Sequence, residues 1–318
     1  MSLRARYMGK RLAYAAATVF VLVTATFLLM HMLPGDPFSG TKALRDEVRQ
    51  TLVVKYGLDK SPPEQYFIYL SNVFRGDLGS SLVSGRRVTD IIAQSFPISF
   101  ELGLRALVFA LIIGVFMGVL AALKRGTVWD TAGMLLALLG VSVPSFITGS
   151  LLQYFLGLKL YQATGIHFFS ITGWSGESSK LLPAFALALS TIAVVSRLMR
   201  SSMLEVLSQD YIRTAKAKGL SRRSVVLHHC LRNAAMPVIT VLGPLSAVLF
   251  TGTFVIENIF SIPGLGKYFV ESVSSNDYPV IVGTTLFFGV FLVTANLVVD
   301  LLHSFIDPKV RAEREGAL

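Results

Sequence analysis

A single cysteine, Cys230, stands among 318 residues, so no disulfide can form within the chain. Catalytic signatures are missing too. There is no His-Glu-x-x-His, no Gly-x-Ser-x-Gly, and no phosphate-cradling Gly, four residues, Gly-Lys-Ser/Thr. Any work this chain does with nucleotide energy therefore needs a second polypeptide to bind the nucleotide. Charge is scarce as well: 15% of the residues are charged against 53% hydrophobic, which excludes an ordinary soluble domain of this length.

The apolar residues are gathered into runs. Stretches free of Asp, Glu, Lys and Arg extend from Leu12 to about Met32, then over Ala106–Leu123, Thr131–Leu158, Leu181–Ser196, Asn233–Ile256 and Tyr278–Val299. A helix needs about 20 residues to cross a hydrocarbon core of about 30 Å. The fourth run reaches that length if Arg197 and Arg200 snorkel to the interface. The expected architecture is all-α, a polytopic membrane protein with six transmembrane helices. The first run is no signal peptide by pattern. Basic Arg4, Arg6, Lys10 and Arg11 precede it, but it is too long and ends in Leu33-Pro-Gly-Asp-Pro37 without a small-x-small cleavage site.

The net charge of +10 follows from topology. Placing the basic N-terminus in the cytoplasm puts Lys124-Arg125, the segment from Arg197 to Asn233 and the C-terminal tail on that side, both termini included. The basic residues are spread over several loops without an aromatic-interleaved face, so nucleic acid is a poor partner. The expected organisation is residues 1–33 as cytoplasmic N-terminus and first helix, 34–99 as an extracytoplasmic loop subdomain, 100–310 as a five-helix core with a cytoplasmic loop at 197–234, and 311–318 as a tail. Within the outer loop, Tyr66, Tyr69, Leu70 and Val73 form a stripe at helical spacing. That pattern suits a helix lying on the membrane surface or a docking face for an external protein. The opposite side also carries an acidic loop from Glu257 to Asp277.

The six runs lack the ionisable groups that proton-coupled carriers and voltage sensors need. They do hold helix modifiers: Pro144 between Ser142 and Ser145, Pro237, and Gly243-Pro244. Ser142, Ser145, Gln153 and Asn296 suit helix–helix bonding as well as cargo contact, so the pathway lining stays unknown. His228, His229 and Cys230 do not form a metal site, because adjacent helical residues point about 100° apart. No metal or cofactor is expected in this chain.

One segment is shaped rather than apolar: Asp210-Tyr-Ile-Arg-Thr-Ala-Lys-Ala-Lys-Gly-Leu-Ser221. It reads as a short helix with Asp210 as N-cap, Lys216 and Lys218 in the last turn, and Gly219 as a left-handed stop. Leu220 folds back and Ser221 caps a second helix. A membrane protein that builds so definite an elbow between two spans offers it to a soluble partner.

That segment, with His228-His-Cys-Leu-Arg-Asn-Ala-Ala-Met-Pro237 after it, resembles the coupling loop of ABC importer permeases of the peptide/nickel branch. It departs from the general Glu-Ala-Ala…Gly pattern of such loops, keeping only Ala215, Gly219 and Leu231. Leu33-Pro-Gly-Asp-Pro37, Tyr56-Gly-Leu-Asp59, Gly76-Asp-Leu-Gly79, Ser142-Val-Pro-Ser-Phe146, Glu257-Asn-Ile-Phe-Ser-Ile-Pro-Gly-Leu-Gly266 and Ile306-Asp-Pro-Lys309 extend the resemblance to the B-type permease subunits of oligopeptide and dipeptide systems. The resemblance implies a type I importer permease fold in a bacterial or archaeal cytoplasmic membrane. It implies a homologous second permease, two ATP-binding cassette ATPases that hold the ATP and magnesium, an external solute-binding protein, and a peptide cargo. Nickel chelate, glutathione or oligosaccharide are alternative cargoes, and a non-transporting scaffold is the alternative role. ATPase coupling would fall on Asp210, Tyr211, Ile212, Arg213, Thr214, Ala215, Lys216, Ala217, Lys218, Gly219 and Leu220. In that scheme Tyr211, Ile212 and Ala215 offer the apolar surface, and Arg213, Lys216 and Lys218 meet acidic groups at its rim.

Overall fold

In an apolar medium a backbone must satisfy its own hydrogen bonds, and a helix does so within one segment. The computed structural model of the protein describes residues 3–32, 50–51, 53–54 and 59–306. Leu33-Pro-Gly-Asp-Pro37, Tyr56–Leu58, the residues after Ile306 and the expected tail lie outside the described residues. Helices α1 (Leu3–Met32), α2 (Pro62–Phe74), α3 (Val88–Leu123) and α4 (Val128–Ser142) come first. Next are α5 (Ser145–Leu152), a π-helical stretch Gln153–Lys159, α6 (Leu160–Thr164) and α7 (Ser178–Leu207). Then follow α8 (Asp210–Ala217), α9 (Arg222–Ser224), a second π-helical stretch Val225–Cys230, α10 (Leu231–Ala234), α11 (Met236–Thr240), α12 (Leu242–Ile259), α13 (Leu265–Ser274) and α14 (Tyr278–Ile306). Among the described residues the only β pairing is an isolated bridge between Ser80 and Arg87.

Among the described residues five helices are long and apolar enough to cross a membrane, and a sixth crossing arises if one bent pair counts as a span. That pair stands where one span was expected over Thr131–Leu158, with Pro144 as its helix modifier. It is α4 with the helical segment Ser145–Thr164, bent by 109°. Pro144 is the cause: it forces Val143 before it into an extended conformation (φ −92°, ψ 122°), which helix geometry cannot continue. The run Asn233–Ile256 is also not one helix. Its first third is divided between α10 and α11, and only α12 is long and unbroken. Pro237, which has no N–H to give, lies in the broken part, whereas Pro244 sits in the first turn of α12 where a missing donor costs little.

The chain divides into two compact units, Met1–Ile98 with Gly264–Thr294, and Ser99–Pro263 with Ala295–Leu318. In the first, α2 begins at a capping box in which the Ser61 amide donates to Glu64 Oε2 (3.1 Å). Its stripe turns inward as spaced: Tyr66 Oη meets Thr24 Oγ1 (2.6 Å), and Phe27 of α1 lies against the rings of Tyr66 and Tyr69. Tyr69 packs on Ile281 and Val282 of α14, while Phe67 and Phe74 stay exposed on the other face. Burial pushes the Tyr69 phenol above its ordinary pKa. Asp277 lies in a loop as expected, but it is buried there and accepts from Ser81 Oγ and the Leu82 amide (3.0 Å).

In the second unit α3 and α7 approach closely. A Cβ on Gly118 would stand 2.6 Å from Met199 Cβ and from Ser196 O, and one on Gly114 would stand 2.8 Å from Val195 Cβ. Gly114-Val-Phe-Met-Gly118 is thus a small-xxx-small seam that lets two backbones meet. Nearby, Arg200 of α7 does not snorkel free. Its Nε and Nη2 donate to the two carboxylate oxygens of Asp130 in α4 (2.6 and 2.8 Å). At the other end of α7, Arg105 donates to Glu101 and Glu177, and Lys180 donates to Glu101 (2.9 Å). Glu257, expected at the other end of that loop, lies inside α12 with no exposed surface and accepts from Ser99 Oγ (2.6 Å).

Gly118→Ala is expected to lower stability by about 1–3 kcal/mol, because the new methyl meets main chain that cannot yield. Gly133→Ala, where a Cβ meets nothing within 4 Å, should be neutral or stabilising. Thermal unfolding in detergent reads both, and equal effects would refute the seam. For the ion pair, Asp130→Ala alone should cost about 3 kcal/mol by stranding Arg200 in a largely enclosed site. A double-mutant cycle with Arg200→Met should return a coupling of about 1–3 kcal/mol, whereas simple additivity would deny that the pair acts as a unit.

Candidate functional site

The elbow after α7 is built by three turns. Ser208 closes α7, with its Oγ donating to Glu205 O (2.6 Å), and Gln209 is extended (φ −71°, ψ 147°). The amide of Ile212 returns to Gln209 O (3.1 Å), so the N-cap is Gln209 rather than Asp210. Asp210 is the first helical residue, where its charge still favours the exposed amides of that end. Its exposed pairing with Arg213 (3.4 Å) adds little.

The far end of α8 is a Schellman stop. Leu220 N donates to Ala215 O (3.4 Å) and Gly219 N to Lys216 O (3.0 Å). Gly219 takes φ +77°, the conformation for which glycine pays no Cβ penalty. Ser221 then caps the following helix, its Oγ accepting from Ser224 N (3.3 Å). The stop and the second cap stand as the spacing requires.

The faces of α8 correct the expected surface. Ile212 is fully buried and Ala215 is 7% exposed. Both pack into a core with Met199 and Met203 of α7 and with Val225, Val226, Cys230 and Ala234 beyond the corner. The outward side carries Tyr211, Arg213, Thr214, Ala217 and Lys218. Tyr211 is held upright, since its Oη accepts from Asn233 Nδ2 (2.8 Å), and Thr214 Oγ1 donates to Asp210 O (3.1 Å). Lys216 is exposed as well, and with Leu220 it lines a cavity on the flank of the helix. The spacing of Ile212 and Ala215 puts them on one side of the helix, but which way that side turns is decided by the core that α7 supplies. The role of Asn233 had no such signal.

The π-helical stretch Val225–Cys230 sets the second arm of the elbow. Cys230 is fully buried within it, and burial raises its thiol pKa while the Lys216 charge pulls the other way. His228 Nδ1 lies 3.3 Å from Ser224 O. The elbow therefore contains no nucleophile poised for chemistry. It can present a rigid, cationic knob whose inner side is fused to α7.

Two family models match the chain, one described as binding-protein-dependent transport system inner membrane component over residues 114–312, and one as the N-terminal part of that membrane component over residues 4–103. The chain is 47% identical over 315 residues to the dipeptide transport system permease protein DppB of Bacillus subtilis, covering 98% of this chain and 100% of that one. It is 40% identical over 309 residues to the oligopeptide transport system permease protein OppB of Haemophilus influenzae, covering 96% and 99%. In fold it is similar to a chain in the crystal structure of an amino acid ABC transporter with histidines, at TM-score 0.51 and 13% identity, over 68% of this chain and 94% of that one. An all-helical chain with several membrane-length helices, matched almost end to end by these models, belongs to the binding-protein-dependent transport system inner membrane components.

Proposed function

We propose that this chain is a permease subunit of an ATP-driven importer that carries dipeptides or oligopeptides across a bacterial cytoplasmic membrane. The relatives' names support a peptide cargo, and this reading extends that cargo to the present chain. The bent pair counts as one crossing, which makes six spans with both termini in the cytoplasm. Residues 34–99 form the outer subdomain, 100–310 the permease core with its coupling loop at 197–234, and 311–318 the tail. A homologous permease completes the pathway, two ATPases bind ATP and magnesium, and an external binding protein delivers cargo.

The observation that carries the mechanism is the construction of α8. Its inner face is buried against α7, and only two residues, Ser208 and Gln209, separate the two helices. A push on the outer face by an ATPase therefore moves α7, because α8 has no hinge of its own to absorb it. Tyr211, Arg213, Thr214 and Lys218 make the contact, Ile212 and Ala215 transmit it, and Gly219 fixes the corner. Asp210, Ala217 and Leu220 complete the element, while Lys216 faces the flank.

Cysteine substituted at Arg213 or Thr214 should crosslink to an ATPase subunit, and cysteine at Ala215 should not. The reverse pattern would sink the assignment of faces. Gly219→Pro should abolish uptake of labelled peptide into proteoliposomes while the chain remains inserted, since it removes both the left-handed φ and the Gly219 N–H bond. Intact uptake in that variant would favour the scaffold role. Gly219→Ala, strained by about 1–2 kcal/mol but sterically free, should lose uptake only in part.

A further inference from the structure

The flank of α8 carries a feature that coupling does not use. Where α3 ends at Leu123, a cavity of about 460 Å³ opens between that end, the last residues of α7 and the elbow. Leu123, Leu207, Leu220 and Val225 form its apolar wall, and Lys216 and Arg222 are its cations. No carboxylate lines it, and among the described residues neither cation forms an ion pair. Arg222 gives one N–H to Leu123 O (3.4 Å) and has further donors beyond that one.

This combination selects an occupant. Two unpaired cations over an apolar wall call for an amphiphile with an anionic head. The position limits it further: Leu123 ends the charge-free run Ala106–Leu123 and Lys124-Arg125 follow at once, the pattern of a span end where hydrocarbon gives way to headgroups. Basic pockets at the ends of membrane helices bind anionic headgroups. A soluble anion would use the cations and leave the apolar wall wet.

The geometry points to a binding site for an anionic phospholipid, its phosphate held by Lys216 and Arg222 and its upper acyl chain laid against Leu123, Leu207 and Val225. The site joins the end of α3 to the side of α8, so an occupying lipid bridges the membrane helix and the elbow. This binding does not depend on whether an ATPase docks on the outer face of α8.

The test uses the full-length chain in detergent, stripped of lipid, then titrated with phosphatidylglycerol or phosphatidylcholine and weighed by native mass spectrometry. Wild type should retain phosphatidylglycerol preferentially, and Lys216→Gln/Arg222→Gln should weaken that retention roughly tenfold. Lys216→Arg/Arg222→Lys should keep it, which separates charge recognition from damage to the elbow. Lys218→Gln, which changes an exposed lysine outside the cavity, should have no effect. The proposal is overturned by equal retention of the two lipids, or by undiminished retention in the glutamine pair. It is equally overturned by loss in Lys218→Gln as large as in that pair, or by full displacement of the lipid with inorganic phosphate, which would make a soluble anion the occupant.

Discussion

Burial of Ile212 and Ala215 against Met199 and Met203 is the contact on which the rest depends. An isolated helix of eight residues is not stable in water, because nucleation costs more than so few hydrogen bonds return. Helix α8 exists because its inner face is covered, and burying an isoleucine side chain contributes about 1.5–3 kcal/mol. The contact that makes the helix also denies it independence. An element stabilised by α7 cannot move far without α7, and a coupling device requires that constraint.

Helix α7 then sets how far a displacement can reach. Its 30 residues span about 45 Å at 1.5 Å each. Near the elbow it is tied sideways to α4 by the two hydrogen bonds between Arg200 and Asp130. Along its middle it meets α3 at the glycines, where close backbones leave little slack for side chains to absorb. At its start, Lys180 and Glu177 share a charge cluster with Glu101 and Arg105 of α3. The packing is tight near the elbow. It ends in solvent-screened ion pairs, with Glu177 mostly exposed, where contacts exchange at little cost.

Much of this was legible in the sequence because its causes are local. Apolar runs gave the long helices, and the spacing of Gly219 and Ser221 gave the corner, since stop and cap chemistry involve only neighbours a few residues away. The stripe of α2 was readable for the same reason. What escaped depends on distant partners. The inward turn of Ile212 needs the core supplied by α7, and the pairing of Arg200 needs an aspartate 70 residues earlier. Charge-free counting ended a span at Ile256, yet Glu257 continues the helix because Ser99, 158 residues earlier, donates to it. Gly114 and Gly118 were visible as a motif, but a small-xxx-small pattern has meaning only when a facing helix is known.

The basic residues of the 197–234 segment look uniform in sequence because one rule, attraction to the cytoplasmic side, explains them all. In the structure they separate by environment. Arg200 is neutralised by Asp130, Arg213 and Lys218 face outward, and Lys216 and Arg222 stand over an apolar wall. Topology alone requires none of these placements, since a lysine anywhere in the loop satisfies it equally. The same charge thus stands in three surroundings, paired with a carboxylate, facing outward and beside an apolar wall.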